Sequence, residues 1–230
     1  LRTAVVGVGY LGQHHARLWA AIPGVRLLAV VDTNPARARE VAASLGAEAL
    51  DDIAALRGRV DVVSVAVPTS AHLEVARFFL SDGVATLVEK PIAASLEHAE
   101  EMIEISRRSG ALLGVGHTER FNPAVQALRA RASVPRFIEC HRLGVFAPRS
   151  LDVDVVLDLM IHDIDITLDL VRSPVASVEA VGVAALTPRV DIANARITFA
   201  GGCVANLTAS RISASRTRKI RVFSQDRYLS

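Results

Sequence analysis

The chain has 230 residues, 51% hydrophobic and 22% charged, a balance that suits a folded globular protein and excludes wholesale disorder. Its 26 basic and 24 acidic side chains leave a formal net charge of +2, which argues against a dedicated nucleic-acid binder. No apolar run approaches the roughly 18–20 residues of a membrane helix, and the length suits one large domain or two small ones.

In chain order, residues 3–6, 27–31, 62–67, 86–89 and 112–115 are short Val/Leu/Ala-rich runs bounded by Gly, Pro or Asp. Such runs fit strands buried on both faces of a parallel sheet. Helical spacing covers 11–21, 35–45, 70–81 and 95–109 between them. Asn34-Pro35, Ser70 and Ser95 are the expected helix starts, and Gly46, Gly83 and Gly110 the expected stops. Strand and helix alternating in this way predict a doubly wound α/β domain over 1–117.

Beyond residue 117 the rhythm changes. A helix starts at Asn122-Pro123 and a longer one covers 152–171, with strands at 136–146, 175–186, 191–199, 202–211 and 218–224. Alternation along Asp191–Phe199 and the Gly201-Gly202 turn predict an α+β domain over 118–230, built on an open, mostly antiparallel sheet. Cys140 and Cys203 lie far apart without metal-ligand spacing, so they are expected to be reduced thiols of a cytoplasmic protein, with no metal site.

Gly7-Val8-Gly9-Tyr10-Leu11-Gly12 follows the first strand and opens the first helix, the context in which G-x-G-x-x-G binds a dinucleotide. Gly7 permits the tight turn, Gly9 lets a pyrophosphate approach the backbone, and Gly12 allows close helix–strand packing. Asp32 ends the second strand, 20 residues after Gly12, where a carboxylate accepts from ribose hydroxyls and repels a 2′-phosphate. That favours NAD over NADP, although Arg37 nearby would counter a phosphate; Thr33 joins these as a candidate cofactor contact.

Glu89-Lys90-Pro91 closes the fifth strand, at the sheet edge where ligands of such folds sit. In a chain with only two lysines, Lys90 is a titratable amine placed near a bound nicotinamide. Asp158 and His162 lie four apart on an apolar helix and share a face. A carboxylate-held imidazole suits a general base, although the same pair also serves as a purely structural contact.

Taken together, the glycine loop, Val67-Pro68-Thr69 with His72, Glu89-Lys90-Pro91 and the Asp158…His162 helix resemble the Gfo/Idh/MocA oxidoreductases over essentially the whole chain. The resemblance implies an N-terminal Rossmann domain and a C-terminal sheet that often mediates oligomers, here a homodimer or homotetramer. It implies NAD(P)-dependent hydride transfer at a sugar or cyclitol alcohol, with Lys90, Asp158 and His162 catalytic. Pro68, Thr69, His72 and Glu89 fall where the nicotinamide-ribose end is held. Residues 116–123 and 155–165 resemble the subgroup containing UDP-N-acetylglucosamine 3-dehydrogenases. This implies a UDP-linked N-acetylhexosamine oxidised at C3, with Arg120, Asn122, His141, Arg142 and Arg149 as candidate substrate contacts. An inositol or free-sugar dehydrogenase and a non-catalytic NAD-binding protein are the rival readings. Members of the family usually run on past residue 230, so the second sheet is expected to be shortened or continued outside this sequence.

Overall fold

The structure, a computed structural model, describes residues 1–147 and 153–230. The chain divides into two compact units, Leu1–Gly116 and His117–Ser230.

In the first unit, strands β1 (Arg2–Val6), β2 (Arg26–Val31), β3 (Glu48–Leu50), β4 (Val62–Val65), β5 (Ala85–Glu89) and β6 (Leu113–Gly116) form one parallel sheet. Its order is β3-β2-β1-β4-β5-β6, so the order in which strands are added reverses at a switch point between β1 and β4. Helices α1 (Gly12–Ala21), α2 (Pro35–Leu45), α3 (His72–Ser81) and α4 (Leu96–Ser109) connect the strands. Successive strand residues feed opposite cores. Ala4, Val6, Val63 and Val65 pack with Phe79, Leu80 and Met102. Val5, Val30 and Leu27 pack with Ala16, Val41 and Ala42. Burial on both faces explains why these runs are apolar throughout.

The local punctuation accounts for the helix bounds. Asn34 accepts from the Ala36 and Arg37 amides at the start of α2, and Gly46 ends it in the left-handed region at φ 66°. Ser95 Oγ accepts from the His98 amide at the start of α4. The expected cap Ser70 instead falls inside a 3-10 turn, Thr69–Ala71, and α3 starts without a side-chain cap.

In the second unit, α5 (Pro123–Arg131) leads into β7 (Phe137–Leu143), followed by a π-helical turn (Val156–Met160) that runs directly into α6 (Ile161–Val171). Strands β8 (Val175–Val183), β9 (Ile192–Phe199), β10 (Val204–Ser210), β11 (Thr217–Phe223) and β12 (Tyr228–Leu229) complete a sheet of order β12-β11-β7-β10-β9-β8. All its pairings are antiparallel except β7 with β10, which run parallel. One face is a core of Ile138, Cys140, Ile197, Phe199, Leu207 and Val222 against Val155 and Met160. The other, largely polar face carries Glu139, His141, Asn194, Arg196, Asn206 and Arg221, by strand alternation, with the exposed Val181, Val183, Ile192 and Phe223 among them. Both cysteines are buried, and burial pushes their thiols up, away from the reactive thiolate. Among the described residues no helix is long and apolar enough to cross a membrane, and no cluster of three or more His, Cys, Asp or Glu could hold a metal.

Candidate active site

The loop between β1 and α1 has the geometry its glycines predict. Gly7 turns at φ 82°, and a Cβ there would lie 2.7 Å from the Ala66 carbonyl oxygen. At Gly12 a Cβ would stand 1.7 Å from the Gly7 carbonyl oxygen, which only glycine avoids. Around Gly9 a Cβ would meet nothing within 4 Å, so open space lies over its backbone. Helix α1 has no side-chain cap and no acidic residue in its first turn; the Gln13 and His14 amides bond the Gly9 and Leu11 carbonyls, so its start offers an anion chiefly the positive end of the helix dipole. Tyr10 and Leu11 are exposed beside it. These residues fit a dinucleotide pyrophosphate.

Asp32 lies against the same loop. One carboxylate oxygen accepts from the Val8 amide and the other from the Asn34 amide, both at 2.9 Å. Thr33 is exposed next to it. Arg37 has a different task from the one expected. Its Nε donates to the Val8 carbonyl at 2.8 Å, Nη2 to Gln13 at 2.8 Å and Nη1 to Glu40 at 2.9 Å. All three nitrogens are engaged, two of them tying the loop and α1 to α2, so this guanidinium is not poised for a 2′-phosphate.

At the strand ends, Pro68 is exposed and Thr69 half-buried. His72 is 1% exposed, with Nε2 3.0 Å from the Val67 carbonyl and Nδ1 3.0 Å from that of Pro91. It ties the end of β4 to the segment after β5, and its burial removes it from direct contact with a cofactor. Glu89 is buried: Oε1 pairs with His15 Nε2 at 2.8 Å, and Oε2 accepts from the Lys90 amide at 3.2 Å. Lys90 is half-buried at the strand end.

In the second unit, Asp158 sits within the π-helical turn and His162 in the first turn of α6. Asp154 Oδ1 caps the segment by accepting from the Leu157 amide at 2.9 Å. A π-turn is a local departure that recurs at functional sites. The next residue, Asp163, faces the sheet and takes Arg142 in two hydrogen bonds of 3.0 and 2.7 Å. Burial pushes the Asp163 carboxyl up even with Arg142 beside it. Arg142 is 5% exposed, so it is a buried tie between β7 and α6 and not a substrate contact.

Arg120 likewise closes on Asp165 with two bonds of 2.7 Å, which raises its pKa further. Asn122 Oδ1 accepts from the Ala124 amide at 3.0 Å and so caps α5. His141 sits on the polar face of the sheet, 3.8 Å from Glu139 and opposite to Arg142 in facing. Arg149 lies outside the described residues. A cavity of about 720 Å³ within this unit is lined by Glu119, Asn122, Arg131, Arg142 and Arg218 among others.

Residues 1–117 match the family described as an oxidoreductase family with an NAD-binding Rossmann fold, and residues 124–229 match the Gfo/Idh/MocA C-terminal domain. The chain belongs to the Gfo/Idh/MocA oxidoreductase family. This Gfo/Idh/MocA member is 46% identical over its whole length to a UDP-N-acetylglucosamine 3-dehydrogenase of Acidithiobacillus ferrooxidans, covering 73% of that relative. The solved structure of that dehydrogenase superposes with a TM-score of 0.93, over 99% of this chain and 75% of the other. It is also 31% identical to a scyllo-inositol 2-dehydrogenase (NAD(+)) of Bacillus subtilis, over 93% of this chain and 68% of the relative. A putative myo-inositol dehydrogenase structure from Sinorhizobium meliloti, 25% identical, superposes at TM-score 0.91 over 100% of this chain and 75% of the other. The protein is therefore an NAD-binding oxidoreductase.

Sequence reading passed over His15, Arg131 and Arg218. A signal for His15 was available: a polar side chain on the face of α1 that carries the buried Gly12 and Ala16. For Arg218 none was, because the register that sets it across from Arg142 belongs to the folded sheet.

Proposed function

We propose that this chain is an NAD-dependent dehydrogenase that oxidises the C3 hydroxyl of a UDP-linked N-acetylhexosamine. The observation that carries the reading is its 46% identity, across its entire length, to a UDP-N-acetylglucosamine 3-dehydrogenase. NAD, when bound, supplies the hydride acceptor. Gly7, Gly9, Tyr10, Leu11 and Gly12 hold its pyrophosphate end, and Asp32 and Thr33 its adenine ribose, with Pro68, Thr69 and Glu89 toward the nicotinamide ribose. His162 accepts the hydroxyl proton and Asp158 orients the imidazole. The Lys90 ammonium donates a hydrogen bond to the same oxygen and offsets its growing negative charge as hydride departs from carbon. The preference for NAD follows from the Asp32 carboxylate and from the full engagement of Arg37.

For the substrate diphosphate, the cavity offers Arg131 and the exposed Arg218, whose Nη1 also donates to Glu119 at 3.4 Å. Arg142, closed by Asp163, serves the scaffold. The polar sheet face, with the Arg221–Glu139 pair beside Asn206 and Arg196, suits a second copy of the chain as its partner.

The inositol dehydrogenase relatives support a second reading, a cyclitol substrate, which the cation-lined cavity does not favour. A rate panel that follows NADH formation with UDP-sugars, free hexoses and cyclitols separates them. Turnover is expected only with UDP-N-acetylhexosamines; oxidation of cyclitols at comparable kcat/KM overturns the substrate. Lys90→Ala and His162→Ala should each lower kcat at least ~100-fold, the scale of a lost positioned acid or base. Rates like those of the parent protein in either variant reject the assigned roles.

A further inference from the structure

One titratable group next to the proposed chemistry has no part in it so far. His15 lies one turn into α1, three residues after Gly12, and its Nε2 stands 2.8 Å from Glu89 Oε1. Both side chains are largely withdrawn from water, at 15% and 9% exposure. The Glu89 carboxylate is enclosed from the other side as well. A Cβ built on Gly116 would come within 2.9 Å of Glu89 Oε1, so β6 presses bare backbone against it. The second carboxylate oxygen takes the Lys90 amide at 3.2 Å. One turn further along the same helix, Trp19 donates to Ser64 Oγ on β4 at 2.8 Å. Helix α1, whose start forms the phosphate loop, is thus bonded by two side chains to the strands on the far side of the switch point.

A buried carboxylate needs partners, and here His15 arrives from α1 and the Lys90 amide from the end of β5, with β6 packed close by. Removing one of them frees the carboxylate to rotate, and with it the backbone amide that carries Lys90. We propose that His15 is a positioning residue for the reaction: through Glu89 it fixes the Lys90 segment relative to the helix that holds the dinucleotide. This rests on the reading of Lys90 as a group that acts on the substrate hydroxyl. An error near 1 Å in the placement of such a group costs on the order of 100-fold in rate.

His15→Ala is therefore expected to lower kcat roughly 10- to 100-fold, well beyond the change in the KM for NAD, to which Glu89 also contributes. His15→Gln, which sets an amide nitrogen where Nε2 stood, should restore most of the loss. Gly116→Ala pushes the carboxylate from the opposite side, so it should reproduce the kcat defect without touching the histidine. Trp19 is the single tryptophan and lies on α1, so its emission reports the integrity of that helix. Energy transfer from it to bound NADH gives the cofactor Kd in each variant. Should His15→Ala fail to fold, His15→Gln and Gly116→Ala carry the comparison.

A second measurement needs no substrate. The chain has two lysines, Lys90 and Lys219. Reductive 13C-methylation of the full chain gives each a resonance, assigned with Lys90→Arg. The Lys90 resonance should move in His15→Ala and Gly116→Ala and keep its place in His15→Gln, with Lys219 constant throughout. A parental kcat in His15→Ala, with Lys90→Ala inactive, overturns the positioning role and leaves the Lys90 reading intact. If Lys90→Ala is itself active, or no sugar is oxidised, the reading falls and the resonance alone decides. A Lys90 signal indifferent to His15→Ala then sinks the tie as well.

Discussion

At the scale of single residues, the three loop glycines are required for separate reasons, and the reasons can be separated by experiment. Gly12 is sterically closed, with 1.7 Å between a built Cβ and the Gly7 carbonyl oxygen, whereas Gly9 is sterically open. Gly12→Ala must therefore displace α1 from the loop, and a loss of at least about 1–3 kcal/mol is expected, the scale of an overpacked core. Gly9→Ala should fold within about 0.5 kcal/mol of the parent. Its methyl group enters the space over the loop, so NADH binding should weaken although stability does not. Urea midpoints set beside NADH titrations test both, and a stable Gly12→Ala or a tight-binding Gly9→Ala contradicts the assignment. The glycine roles were legible in the sequence because they depend on local spacing. The task of Arg37 was not, because it depends on which acceptors three separate segments bring to one guanidinium.

Among the elements, the segment bearing His162 is anchored by the pair beneath it. Arg142 on β7 and Asp163 on α6 are both nearly inaccessible to water and bond in two places. Asp163→Ala leaves the buried guanidinium with only Glu119, 3.7 Å away, and a cost of up to about 3–5 kcal/mol is expected. Replacing both residues with Met and Leu should recover much of that stability, because the desolvation penalty disappears with the charges. Equal urea midpoints for Asp163→Ala and the parent protein would show that the pair does not anchor the helix, and equal midpoints for Asp163→Ala and the double variant would refute the desolvation argument. The turn between β8 and β9 gives a pH-dependent counterpart. Burial alone would push the Asp191 carboxyl up. The Thr187 amide and hydroxyl and the Ala185 and Leu186 amides outweigh that and hold it well below the usual carboxylate range. A folded pKa below the unfolded one, about 3.9, stabilises the native state above that pH. The benefit is lost as pH falls through the depressed value. Asp191→Asn should therefore lower the urea midpoint at pH 7 and flatten its fall between pH 5 and pH 2; parallel curves for the two proteins would refute this.

Elements also show where sequence reading stops. Helices with an Asn or Ser cap and a terminal glycine were placed within a residue or two, since the signals are chemical and local. The two short strands, Glu48–Leu50 and Tyr228–Leu229, carry too few residues to show a period. The π-helical turn at Val156–Met160 has the same apolar spacing as an α-helix and differs only in its hydrogen bonds. Of the proposed substrate contacts, Arg142 and Arg120 turned out to be held by acids on α6, and nothing in the spacing of a charged residue distinguishes a surface group from a buried tie.

For the whole molecule, the alternation of strand and helix was enough to imply the doubly wound sheet, because parallel neighbours need crossovers of one hand. The parallel pairing of β7 with β10 inside an otherwise antiparallel sheet joins residues 67 apart, such as Phe137 and Val204, and local pattern does not encode it. The quantity that joins sequence, fold and function at this scale is the stability that a bound dinucleotide adds. A ligand that binds only the native state adds about 2.7 kcal/mol at a hundred times its Kd. NAD should meet that expectation and raise the Tm of the full chain in a concentration-dependent way. NADP at equal concentration should raise it far less, because its 2′-phosphate meets the Asp32 carboxylate and finds Arg37 already bonded to Val8, Gln13 and Glu40. Both obstacles can be lowered together: Asp32→Ser removes the negative charge, and Glu40→Ala releases one guanidinium nitrogen. The double variant should gain a Tm shift with NADP and lose part of its shift with NAD, and Asp32→Ser alone should fall between. If NADP already stabilises the parent chain as strongly as NAD, the selectivity assigned to Asp32 and Arg37 is wrong, whatever the substrate proves to be.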